Sequence, residues 1–111
     1  MDMTWDEMLA ATGAEVCSGK LRGNDTIPHI MTDTRTIAAG DLFIALRGEN
    51  FDGADFAAEA LAKGAAAVLL GEPISAALQK ALKKEKGTVL IVPDTLAAYQ
   101  AIAHAWRMKF D

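Results

Sequence analysis

Two short polar segments carry the residue types from which a site for a small polar ligand is built. The first, Thr32-Asp33-Thr34-Arg35-Thr36, gathers three hydroxyls, one carboxylate and one guanidinium in five residues. The same spacing also suits a plain turn, in which Asp33 organises its own backbone and pairs with Arg35. The second is Arg47-Gly48-Glu49-Asn50-Phe51-Asp52-Gly53. Asn50 carries both a donor and an acceptor, so it can match a base edge that offers both. Phe51 gives a ring something to lie against. The plainer alternative makes Gly48 and Gly53 turn residues, Asp52 an N-cap and Phe51 part of the core. A helix N-terminus attracts phosphate, but Asp52 and Asp55 already place negative charge at the helix expected here. The expectation is therefore a neutral base or sugar.

Other chemistry-bearing patterns are incomplete. Ala14-Glu15-Val16-Cys17-Ser18-Gly19-Lys20-Leu21 matches the phosphate loop G-x-x-x-x-G-K-[ST] at two positions only. Ala14 stands where the first glycine belongs, and Leu21 where a hydroxyl must reach magnesium. No G-x-G-x-x-G is present, so the dinucleotide fingerprint is missing. His29 has no partner at ligand spacing. His104 falls on the side of its helix away from the apolar residues. Neither points to a metal, and no nucleophile with its base can be argued from sequence order. The chain alone is not expected to be catalytic.

The elements around the two segments follow from periodicity and caps. Thr4 and Glu7 have the spacing of a capping box, ahead of a short helix with Trp5, Met8 and Leu9 on one stripe and Gly13 as its left-handed stop. Strands are expected at Glu15 to Ser18 and His29 to Asp33, separated by the turn-rich Arg22-Gly23-Asn24-Asp25. A loop from Thr34 to Asp41 leads into Leu42 to Leu46, an apolar run too short for a helix and read as a strand buried on both faces. Asp52 to Lys63 reads as a helix with Phe56, Ala60 and Leu61 inward and a Glu59–Lys63 pair outward. Ala66 to Leu70 is a buried strand. Pro73 opens a helix striped by Ile74, Ala77, Leu78, Ala81 and Leu82. Gly87 ends it, and Val89 to Val92 is a further strand. Asp94 or Thr95 caps a last helix with Leu96, Tyr99, Ile102, Ala103 and Trp106 on one face. Strands joined by helices of this length pair in parallel with right-handed crossovers. The fold class is α/β, a small, mostly parallel sheet flanked by helices. The first polar segment then lies at the carboxyl end of a strand, where ligands collect in open α/β sheets.

Composition agrees with one globular domain. The chain has 111 residues, 51% apolar and 23% charged, with a formal charge of −4. The only basic block, Lys80 with Lys83 to Lys86, is interrupted by Glu85 and lies at a helix end, where cations suit the macrodipole. Nucleic acid is not an expected partner. No apolar run approaches the ~20 residues that cross a bilayer, and the N-terminus lacks the marks of a secretory signal. Cys17 is the single cysteine. These features favour a reducing, intracellular setting without a membrane partner.

The polar segments also carry a resemblance. Thr32-Asp33-Thr34-Arg35-Thr36-Ile37, Ala39-Gly40-Asp41-Leu42-Phe43-Ile44-Ala45-Leu46-Arg47-Gly48, Asp52-Gly53-Ala54-Asp55-Phe56 and Lys63-Gly64-Ala65-Ala66-Ala67-Val68 follow one another at a specific spacing. The combination resembles the N-terminal domain of the Mur ligases, the ATP-dependent enzymes that build the peptidoglycan peptide stem. Within the family, Gly48 to Gly53 looks most like the branch that adds D-alanyl-D-alanine to a UDP-N-acetylmuramoyl-tripeptide. The branch adding the third stem residue is the alternative within the family. A non-enzymatic docking module is the alternative of another class.

The resemblance implies that residues 1–111 hold the UDP end of a UDP-N-acetylmuramoyl-peptide in the cytoplasm. Thr34 matches the hydroxyl of the D-[ST]-R motif that contacts the nucleotide, beside Arg35, and Glu49, Asn50 and Phe51 match the loop lining the uridine pocket. The family's central ATP-binding domain and C-terminal domain, which are its partners in the parent enzyme, have no counterpart before Asp111. ATP and magnesium belong to that parent, and no cofactor or metal is expected in this chain. Three departures stand out: Thr34 for a commoner serine, Ala39 for a frequent proline and Ala54 for a frequent histidine. The last leaves no imidazole at position 54.

Overall fold

In the computed structural model, which describes residues 3–48 and 51–109, the capping box forms in full. Glu7 N–H donates to Thr4 Oγ1 at 3.2 Å, and Thr4 N–H donates to Glu7 Oε1 at 3.0 Å. Helix α1 (Trp5–Thr12) buries Trp5 and Met8 and stops at Gly13, whose φ is 68°.

The chain continues through β1 (Glu15–Ser18), β2 (Ile30–Met31), β3 (Leu42–Ile44), the pair β4 (Arg47–Gly48) and β5 (Phe51–Asp52), then α2 (Ala57–Ala62), β6 (Ala67–Gly71), α3 (Ala76–Lys83), β7 (Thr88–Val92) and α4 (Thr95–Met108). Five strands form one sheet in the order β1-β7-β6-β3-β2. β2, β3, β6 and β7 are parallel to one another. β1 is antiparallel at the edge beside β7, with its residues exposed. The expected α/β class with a mostly parallel, helix-flanked sheet is what forms.

The apolar runs behave as strands buried on both faces must, sending alternate side chains to opposite sides. Leu42, Ile44, Ala67, Leu69, Leu90 and Val92 pack with Trp5, Met8, Ala98 and Ile102 of α1 and α4. Phe43, Val68, Leu70 and Val89 pack on the other side with Ala57, Ala60, Leu61 and Leu82 of α2 and α3. Full burial of a side chain such as Phe43, 1% exposed, is worth about 1.5–3 kcal/mol.

Several boundaries differ from expectation. The strand expected at His29 to Asp33 pairs only at Ile30–Met31, because Asp33 leaves the sheet to cap a 3-10 turn, Thr34–Thr36, accepting from Arg35 N–H at 2.8 Å. Asp52 does not cap a helix: it lies in β5 opposite Arg47. A 3-10 segment, Gly53–Phe56, follows and runs into α2. In α3 the cap is Ser75, which accepts from Leu78 N–H, and Pro73 lies in the preceding turn. On α4 the face toward the core is Thr95, Ala98 and Ile102, whereas Leu96, Tyr99, Ala103 and Trp106 are exposed. Ala98 lets the helix lie close to α1 and the sheet, which a larger side chain there would prevent.

One polar contact holds the entry to β3. Asp41 is fully buried, and its carboxylate accepts from Ala38 N–H at 2.9 Å and lies 3.3 Å from His29 Nδ1. His29, which has no partner at metal-ligand spacing in the sequence, meets Asp41 through this polar contact.

Candidate functional site

The register of two neighbouring strands sets the site. Ile30 lies opposite Leu42 and Met31 opposite Phe43, in parallel. The segments leaving β2 and β3 therefore emerge from the same end of the sheet, the carboxyl end at which α/β proteins bind ligands.

The segment after β2 is tightly ordered. Asp33 accepts from Arg35 N–H, and its carboxylate also takes the Arg35 guanidinium, with Nη2 to Oδ2 at 2.6 Å and Nε to Oδ2 at 2.9 Å. The guanidinium and, after it, the Arg35 amide hold the Asp33 carboxyl down at about 2, and Asp33 raises the Arg35 pKa in return. Thr34 is turned inward and buried. Its hydroxyl donates to Glu59 Oε2 at 3.2 Å, and its carbonyl accepts from Lys63 Nζ at 2.9 Å. Lys63 also pairs with Glu59 Oε1 at 3.4 Å. The outward-facing Glu59–Lys63 pair forms as expected and also braces the turn.

These elements enclose a cleft of about 440 Å³, lined by Thr32, Asp33, Thr34, Arg35, Phe43 and Phe56. Phe43 comes from β3 and is buried, whereas Phe56 is 39% exposed. Phe56 was expected inward with Ala60 and Leu61. The 3-10 winding of Gly53–Phe56 advances about 120° per residue rather than 100° and rotates Phe56 off their stripe.

Of the residues singled out from the sequence, Thr34 and Arg35 line this cleft together. Glu49 and Asn50 lie outside the described residues. Phe51 is described in its backbone only, paired with Gly48 in the β4–β5 ladder. Among the described residues, the aromatic side chains that line the cleft are Phe43 and Phe56. With Asp52 in a strand, only Asp55 remains in the first turn of the 3-10 segment, so the case against phosphate from two helix-end carboxylates no longer stands in that form.

A second, shallower cleft of about 250 Å³ lies where β6 and β7 end, lined by Gly71, Pro93, Asp94 and Thr95. The Asp94 carboxylate there accepts from Leu96 and Ala97 N–H as the α4 cap. Among the described residues no group of three or more His, Cys, Asp or Glu side chains is placed to hold a metal. The segment Ala14–Leu21 does not fit the phosphates of ATP, because Glu15–Ser18 is an exposed edge strand and opens no helix. No described helix is long and apolar enough to cross a membrane.

A doubly covered, mostly parallel sheet with a cleft at its strand ends defines a helix-flanked α/β domain. The model described as "Mur ligase family, catalytic domain" matches residues 26–107, and the chain belongs to the Mur ligase family. It is 46% identical over 84 residues to the UDP-N-acetylmuramoyl-tripeptide–D-alanyl-D-alanine ligase of Synechocystis sp., covering 76% of this chain and 17% of that protein. It is 42% identical over 97 residues to the UDP-N-acetylmuramoyl-L-alanyl-D-glutamate–2,6-diaminopimelate ligase of Synechococcus sp., covering 87% and 18%. Its fold is similar to MurF from Acinetobacter baumannii, with a TM-score of 0.79 and 28% identity over 98% of this chain and 22% of that one. The chain thus spans less than a quarter of the length of each of these three relatives.

Proposed function

We propose that residues 1–111 act as the N-terminal domain of a D-alanyl-D-alanine-adding Mur ligase and hold the UDP end of UDP-N-acetylmuramoyl-tripeptide. The observation that carries this reading is the cleft formed by the Thr32–Arg35 turn and Phe56. Thr34 supplies a hydroxyl oxygen, Arg35 a cation at the rim and Phe56 an apolar ring surface for a base. By the family resemblance, Glu49, Asn50 and Phe51 belong to the uridine side of the site. ATP and magnesium act on the remainder of the parent enzyme, whose central and C-terminal domains are the partners of this one in the cytoplasm. The names of the relatives support this reading, and the diaminopimelate-adding relative supports a second one, in which the same domain serves the preceding step of stem synthesis.

The affinity of the isolated domain is bounded. A uridine-sized fragment of about 17 heavy atoms at roughly 0.3 kcal/mol per atom gives about 5 kcal/mol. That corresponds to a Kd on the order of 0.1–1 mM. Titration of the labelled chain with UDP, followed by amide chemical shifts, tests the reading. The expected result is a saturable perturbation of residues 32–36 and of the 48–56 segment. Perturbations confined to the Gly71–Thr95 cleft, or none at millimolar UDP, would refute it.

A further inference from the structure

One group at the cleft has the direction of its hydrogen fixed by a neighbour outside the lining. Thr34 Oγ1 lies 3.2 Å from Glu59 Oε2. An ionised carboxylate has no hydrogen to give, so the threonine must be the donor. Glu59 is itself held, since Lys63 Nζ lies 3.4 Å from its other oxygen, and the same ammonium donates to the Thr34 carbonyl. A carboxylate and an ammonium one helical turn apart on α2 thus close on a single residue of the site. With its hydrogen committed, Thr34 Oγ1 offers a ligand only lone pairs.

We infer that Glu59 is a positioning residue that makes Thr34 a hydrogen-bond acceptor, so that the cleft selects a base carrying a ring N–H over one with a bare ring nitrogen. The inference rests on the nucleotide reading above and refines it. Uracil presents N3–H as a donor, whereas cytosine presents N3 as a second acceptor facing the first. Two acceptors face to face leave both unpaired, which is how sites built around one hydrogen bond reject analogues that lack its partner. The same polarity disfavours a phosphate oxygen at Thr34.

The test compares UDP with CDP on the 111-residue chain by chemical-shift titration, in the unaltered protein and in Glu59→Ala and Thr34→Val. Glu59 is exposed, so its truncation leaves the core intact, and the amide spectrum reports the fold of each variant. In the unaltered chain CDP should bind about 10-fold more weakly than UDP or worse. In Glu59→Ala the hydroxyl is free to rotate and donate to cytosine N3. The CDP-to-UDP ratio of Kd should then fall to about 3-fold or less, with CDP gaining in absolute terms. Thr34→Val, which removes the oxygen, should weaken UDP and also reduce the ratio. A merely structural brace predicts that Glu59→Ala weakens both nucleotides alike. That result, or an unchanged ratio, would overturn the inference while leaving the nucleotide reading intact. Failure of UDP to perturb residues 32–36 at all would overturn both.

Discussion

Lys63 Nζ donates a 2.9 Å hydrogen bond to the carbonyl of Thr34, a residue twenty-nine positions earlier. This contact ties the end of α2 to the turn at the end of β2. Because Lys63 is partly exposed, with 40% of its side chain open to solvent, the tie adds little to global stability. Its effect is local. Lys63→Met, which keeps most of the stem and removes the ammonium, should cost less than about 1 kcal/mol in urea denaturation. Hydrogen exchange at residues 34–37 should nonetheless accelerate several-fold. Unchanged exchange there would show that the turn does not depend on the tie.

The Asp33 carboxyl, held at about 2 against an ordinary 3.8, gives the turn a defined pH response. A carboxylate whose pKa is lowered by folding contributes fully above its unfolded value and loses that contribution as pH falls through the folded one. The Asp33–Arg35 clamp should therefore persist well below neutral pH and open only as pH approaches 2. Carbon-detected titration of the Asp33 side chain should give a midpoint near 2 in the unaltered chain. Arg35→Ala should move it upward, though not the whole way, because the residue 35 amide still donates. A midpoint at the ordinary carboxylate value in the unaltered chain would contradict the clamp.

Asp41 is wholly buried and accepts from Ala38 N–H. Asp41→Ala strands that amide and removes the His29 contact, so it should destabilise the domain by about 2–3 kcal/mol. Asp41→Asn, whose side-chain oxygen can still accept from Ala38, should cost less. Chemical denaturation orders the two variants, and equal small losses for both would show that the buried contact is not required.

Gly87 and Gly13 both have positive φ, but their surroundings differ. A Cβ at Gly87, where φ is 118°, would lie 2.6 Å from Leu61 Cδ2 and 3.2 Å from the Ala65 carbonyl. At Gly13, where φ is 68°, it meets nothing within 4 Å. Gly13→Ala should cost about 1 kcal/mol of backbone strain, and Gly87→Ala about 2 kcal/mol or more because overpacking adds to it. Thermal or urea unfolding of the two variants decides this, and a reversed order would contradict the packing of α2 against the β7 entry.

The parts of the fold legible in the sequence were those governed by short-range pattern. The apolar runs Leu42 to Leu46 and Val89 to Val92 read as buried strands, the first pairing only over Leu42–Ile44, and Thr4 with Glu7 announced the first helix. Side-chain size misled at α4, where Leu96, Tyr99 and Trp106 outweighed Ala98 in the expected face although small residues are what close packing admits. The β4–β5 ladder has strands of two residues, too short for any period to show. The site was legible at Thr34 and Arg35, because their chemistry is local. Glu59 and Lys63 were visible only as a helical pair, since what they hold is separated from them by more than twenty residues. Phe56 was assigned to the core because a helical period was carried through a segment that winds as a 3-10 turn.

In the proposed site the Thr32–Arg35 turn and Phe56 grip a uracil ring between them. Intermolecular NOEs measured on the labelled chain with UDP at saturating concentration test it directly. The expected result is cross-peaks from uracil H5 and H6 to the Phe56 ring and from the same base to the Thr34 methyl. Base contacts found only at Gly71, Asp94 and Thr95, with none to Phe56 or Thr34, would contradict it.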